Sequence, residues 1–127
     1  MIIDDLVEKK INESSSLNEL VFILDKLLRY NSVWEDGTLY SIRQLVAYVD
    51  GLKVEIFHNE HPPPHFHVST SDFKATFTIE TCDLIEGTIG KRERKIIEWW
   101  HKKSCKKLID IWNHTRPSDC KVGKIIV

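Results

Sequence analysis

His65-Phe66-His67-Val68-Ser69-Thr70-Ser71-Asp72-Phe73-Lys74-Ala75-Thr76-Phe77-Thr78-Ile79 decides the fold. Phe66 and Val68 alternate with His65, His67 and Ser69; Phe73, Ala75, Phe77 and Ile79 alternate with Lys74, Thr76 and Thr78. Successive side chains of a strand point to opposite faces, so this period of two predicts two strands with one buried face. Ser71-Asp72 between them suits a tight turn. Upstream, Leu52, Val54 and Ile56 alternate with Lys53 and Glu55, a third strand, and Leu84-Ile85 offers a short fourth. The reading is a small antiparallel sheet of three to four strands. Its apolar face is Leu52, Val54, Ile56, Phe66, Val68, Phe77 and Ile79.

Around the sheet the period changes to that of helices. Ile3, Leu6, Val7 and Ile11 recur at helical spacing, with Asp4 and Asp5 in the first turn, where a helix favours negative charge. Ser14-Ser15-Ser16 interrupts. Ser16 with Glu19 then has the spacing of a capping box, ahead of the apolar stripe Leu20, Ile23, Leu24, Leu27 and Leu28. Residues 1–40 are therefore a helical hairpin extension, with Trp34-Glu35-Asp36-Gly37 as a loop. Residues 41–127 form an α+β domain. It opens on a short helix (Ile42, Leu45, Val46, Val49) that ends at Asp50-Gly51; the rival reading is a strand and a β-hairpin with Asp-Gly at its tip, but the apolar positions fit period 3.6 rather than 2. A long helix runs from about Lys91 to His114, with Ile97, Trp100, Ser104, Leu108 and Ile111 along one stripe, and Arg116-Pro117 stops it. Trp99 and Trp100 are adjacent, so one of them is expected to face solvent. Ile125-Ile126-Val127 is apolar enough to dock on the domain.

The chain of 127 residues is long enough for a real core, with 42% hydrophobic and 29% charged residues. No apolar run approaches the ~20 residues of a membrane helix. The acidic start Met1-Ile2-Ile3-Asp4-Asp5 lacks the basic region of a secretory signal. Cys82, Cys105 and Cys120 are an odd number without a CxxC pair, which points to reduced thiols and a cytoplasmic protein.

Chemistry concentrates in His61-Pro62-Pro63-Pro64-His65-Phe66-His67, with His58 just before it. Histidine titrates near neutral pH and is the commonest metal ligand. Proline presets the backbone between the rings. If Phe66 enters the core, His65 and His67 project together from the other face, where two imidazoles can chelate a divalent metal such as zinc. His61 could supply a third nitrogen, and Glu55 and Glu80, on the same expected face, could orient the rings. The alternative is a rigid connector whose histidines bond only to backbone. Cys82 is read as a small buried hydrophobe. There is no phosphate-binding loop, no GxSxG and no GxGxxG, so nucleotide hydrolysis and dinucleotide chemistry have no support.

The net charge of −1 hides two poles: residues 91–107 hold eight Lys/Arg against two Glu, a local +6 that leaves −7 elsewhere. Lys91, Arg92, Arg94, Lys95, Lys102, Lys103, Lys106 and Lys107 are candidates for phosphate contact, with Lys91, Lys95, Lys103 and Lys107 on one stripe. Equally, they could form a solvated face or pair with the acidic N-terminal helices.

Gly51-Leu-Lys-Val-Glu-Ile-Phe57, Glu60-His-Pro-Pro-Pro-His-Phe-His67, the stretch Ala75 to Gly87 with Ile-Glu-Thr-Cys, and the helix ending Ile-Trp-Asn-His-Thr-Arg-Pro117 together resemble the bacterial family DUF4160, a domain of unknown function. The resemblance covers roughly residues 42–120 and leaves the N-terminal hairpin outside. It implies a small prokaryotic cytosolic protein of a toxin–antitoxin-like or defence operon, with His61, His65 and His67 as signature imidazoles. Three functional readings follow. One is a component that binds a small protein partner or itself, and nucleic acid. Another is a metal-dependent hydrolase or nuclease using His61, His65 and His67. The third is metal-free RNA cleavage with His65 or His67 as base.

Overall fold

The computed structural model describes residues 3–41, 51–57, 63–115 and 123–126. The expected helix over 42–49, His58, His61 and the Arg116-Pro117 stop lie outside the described residues. The chain begins with a pair of helices, α1 (Ile3–Glu13) and α2 (Leu17–Tyr30). At the junction Ser16 takes an extended backbone and its hydroxyl accepts the amide hydrogen of Glu19 at 3.3 Å. The Glu19 carboxylate reaches back to the amide of Ser15, so two otherwise orphan donors are satisfied. Leu20, Leu24, Leu27 and Leu28 bury one face of α2.

Two short strands follow, β1 (Asn31–Val33) and β2 (Leu39–Ser41), paired antiparallel. The stretch from Trp34 to Gly37 is their turn. Trp34 N–H donates to Thr38 O at 2.8 Å, Gly37 N–H donates to Trp34 O at 2.9 Å, and Gly37 sits at φ +90°, where glycine is favoured. The Asp36 carboxylate accepts the amide and hydroxyl hydrogens of Thr38. Three-residue arms are too short to show a period, so this hairpin was not expected from the sequence.

The main sheet is antiparallel, in the order β3 (Lys53–Glu55), β4 (His65–Ser69), β5 (Lys74–Thr78), β6 (Leu84–Thr88). Val54, Phe66, Val68, Ala75, Phe77 and Ile79 are buried. A register shift falls between Thr76 and Phe77, and the turn after β5 places Cys82 at φ +58°. The fold is α+β, as expected, with α3 (Lys91–Thr115) as its central element.

Trp100 shows how the layers meet. Its ring packs edge-on to Phe66 of the sheet at 6.1 Å, while Nε1 donates to Leu20 O of α2 at 2.8 Å. The expectation that Trp99 or Trp100 faces solvent is therefore wrong. Both are buried, because α3 is covered on one side by the sheet and on another by the N-terminal helices. Trp99 Nε1 donates to Asp4 Oδ2 at 3.2 Å, and the other Asp4 oxygen accepts Leu39 N–H at 3.1 Å. Ile111, placed on the buried stripe, is only half-buried, whereas Ile96, Ile109 and Trp112 are buried. Of the tail, Ile125 docks: it exchanges two backbone hydrogen bonds with the Asn113 side chain, while Ile126 is exposed.

Candidate functional site

With Phe66 buried in the core, the neighbouring residues of β4 turn to the opposite face of the sheet. His65 and His67 do lie side by side there, ring centroids 5.1 Å apart and nearly perpendicular. Their environments differ. His65 is only 4% exposed, and its Nδ1 is 2.7 Å from Pro63 O. A carbonyl can only accept, so that nitrogen carries a proton. His67 is half-buried, with Nδ1 2.9 Å from Thr76 Oγ1 and the Phe57 ring 5.4 Å away.

The register extends this into a row across the sheet. Glu55 stands opposite His67, His67 opposite Thr76, and Thr76 opposite Glu86. Residues so paired share a face. They border a shallow cavity of about 360 Å³, joined by Phe57, Ser69 and Lys74. Thr76 and Glu86 were missed by sequence reasoning. The signal exists, since each sits at an alternate position of a strand, but it becomes legible only when the register is known. Gly87 forms part of the cavity wall. A Cβ there would lie 2.2 Å from Lys74 O, so β6 can approach β5 only with glycine at that position.

Glu80 does not join this row. The sequence period carries the strand through it, but β5 ends at Thr78, and Glu80 falls in the following turn, its carbonyl 3.7 Å from Cys105 Sγ of α3. Among the described residues no three His, Cys, Asp or Glu side chains group as a metal site. The two cysteines nearby are poor nucleophiles. Burial, helped by Glu98, pushes the Cys82 thiol up to about 12, and burial also raises Cys105.

The basic helix divides into two sets. Arg92 points inward: it donates to Leu28 O and Asn31 O at 2.7 Å each and to Ser32 Oγ at 3.1 Å, and pairs with Glu93. It thereby satisfies carbonyls at the C-terminal end of α2. Lys107 donates to Ser14 O at 2.6 Å, and Lys103 lies 3.6 Å from Glu8 and over the Trp99 ring. These residues meet the N-terminal segment, but among the described residues only Lys103 pairs with an acidic side chain there, while Arg92 and Lys107 bind main-chain carbonyls. Lys91, Lys102 and Lys106 are exposed; Lys95 and Arg94 are half-buried. Positions 91, 95, 102 and 106 share one face of α3, so the outward stripe is Lys91, Lys95, Lys102 and Lys106. The expected stripe through Lys103 and Lys107 turns instead toward α1.

Beside this ridge lies a second hollow of about 290 Å³, bordered by Trp34, Glu35, Lys95, Glu98, Trp99 and Lys102. The sequence alone places Trp34 only in a loop. Among the described residues no helix is long and apolar enough to cross a membrane. Comparison with curated proteins and with solved structures found no match. The family model for a domain of unknown function (DUF4160) matches residues 51–113, which hold the whole main sheet and all but the last two residues of α3. That segment of the chain is similar to the DUF4160 family.

Proposed function

We propose that this chain is a small binding component of a prokaryotic toxin–antitoxin-like or defence operon, acting in the cytoplasm through a protein partner and through nucleic acid. The observation that carries the nucleic-acid part is the sorting of charge on α3. Arg92, Lys103 and Lys107 meet the chain's own N-terminal helices, while Lys91, Lys95, Lys102 and Lys106 form a solvent-facing row. A row of lysines along one helix face supports phosphate contact, with affinity that falls as salt rises, because counterions released from the phosphates gain less by entering a more concentrated solution.

Fluorescence anisotropy with short DNA and RNA, across a salt series, tests it. Binding should weaken steeply with salt. The double substitution Lys95→Ala with Lys102→Ala should flatten the logarithmic slope by roughly one per phosphate contact removed. Absence of binding at low salt, or a slope unmoved by the substitutions, rejects the reading. Co-expression with the product of the adjacent gene, followed by light scattering, tests the partner; a strict monomer in both preparations counts against it.

The second reading, a metal-dependent hydrolase or nuclease, is favoured by the 5.1 Å spacing of the His65 and His67 rings, with His61 as the third ligand. Elemental analysis of untagged protein decides it. Stoichiometric metal that is lost on His67→Ala supports the site; a metal content indifferent to that change removes it.

A further inference from the structure

Trp34 stands 55% exposed at the turn of the β1–β2 hairpin, yet its position is closely determined. One face of the indole stacks on Tyr40, with centroids 4.2 Å apart and planes 29° from parallel. Its backbone closes the turn through bonds to Thr38 and Gly37, and the Asp36 carboxylate ties Thr38 in place. The hollow beside the ring is bordered by Lys95 and Lys102 of the outward ridge, by Glu98 between them, and by Trp99, whose own ring nitrogen is held by Asp4.

From this juxtaposition we infer that the hollow between the hairpin and α3 is a base-stacking site for single-stranded nucleic acid, an inference that rests on the nucleic-acid reading given above. A planar aromatic with one face backed by Tyr40 offers the other to an unpaired base, at little cost in ordering because the ring is already placed. Lys95 and Lys102 lie two helical turns apart on the same side and can hold two phosphates of the strand. The hollow itself is not basic: Glu35 and Glu98 balance the two lysines. A duplex would bring its phosphates against those carboxylates and keep its bases stacked away from Trp34. A single strand can run its phosphates along the lysine ridge and turn a base inward, where carboxylates accept hydrogen bonds from exocyclic amino groups.

The test uses the full chain and fluorescein-labelled RNA and DNA of about 12 nucleotides, each as a single strand and as a duplex. Single strands of either sugar should bind more tightly than the duplexes. Trp34→Ala should weaken single-strand binding roughly tenfold or more and leave duplex binding unchanged, while Trp34→Phe keeps most of the affinity. Lys95→Ala should weaken both forms. If Trp34→Ala lowers the melting temperature enough to confuse the result, Trp34→Leu compared with Trp34→Phe isolates the ring from its bulk. Salt-sensitive binding that is equal for strand and duplex and indifferent to Trp34→Ala overturns the stacking site and leaves the ridge intact. No binding of any oligonucleotide overturns both.

Discussion

His101 lies in the interior with its ring parallel to Phe66, centroids 6.1 Å apart and planes within 7°. Its Nε2 donates to Ile79 O at 2.5 Å. Burial holds its pKa below the ordinary histidine value, the bond to Ile79 acting in the opposite direction. In the unfolded chain the imidazole takes up its proton near pH 6.5, and in the folded protein only at lower pH. Between those points the unfolded state binds more protons, so stability is fully present above the ordinary value and declines as pH falls. Thermal melts between about pH 7.5 and pH 5 should therefore show a steeper loss for the wild type than for His101→Leu. Parallel curves would refute this. At neutral pH the same substitution should cost about 1–3 kcal/mol, because Ile79 O loses its nitrogen donor and is left with the weak Cys105 thiol at 3.7 Å. The sequence around His101, Trp-Trp-His-Lys, does not distinguish a core histidine from a surface one. His65 and His67 are different. Alternation alone places them on one face, because a strand admits two orientations only, and Phe66 fixes which is which.

Gly87 governs how closely β6 can pair with β5. It sits in β6 at φ +97°, opposite Ala75, with backbone where its Cβ would be. Gly87→Ala carries both a conformational and a steric penalty, and β6 is the strand least held by apolar burial. Equilibrium denaturation should show a loss of about 2 kcal/mol or more, and a loss below half that would mean β6 shifts without cost. The strands β3 to β5 and the three helices are legible as periods, since each is long enough, or alternating enough, to repeat its pattern. β1 and β2 are not, because three-residue arms show no period. Glu80 is misplaced because where a strand stops is decided by the turn beyond it, here by the bonds among Thr78, Thr81, Cys82 and Asp83. On α3 the hydrophobic stripe reads correctly at its centre and too narrowly at its edges, because a helix between two layers buries more than one stripe.

At the scale of the molecule, α3 joins the four-stranded sheet to the N-terminal helices, and Arg92 is one of several polar links. Its guanidinium serves three acceptors on the segment from Leu28 to Ser32. Arg92→Ala should destabilise by about 2–3 kcal/mol, since those carbonyls lose a charged donor. Arg92→Lys should recover only part, because an ammonium cannot match the planar fork. Urea denaturation measures both. A variant of unchanged stability but weakened oligonucleotide binding would instead return Arg92 to the outward set.

By itself the chain's sequence determined the α+β class, the helical pair, the alternating strands and the pairing of two imidazoles on one sheet face. Those are consequences of short-range periodicity, which steric rules convert into direction. Tertiary structure alone decided which basic residues face solvent, that both Trp99 and Trp100 are covered, that His65 is buried while His67 borders a cavity, and that Trp34 stands beside Lys95 and Lys102. Each of these depends on what a second element places against the first, and such contacts, sixty or more positions apart for Arg92 and Trp99, leave no local pattern to read.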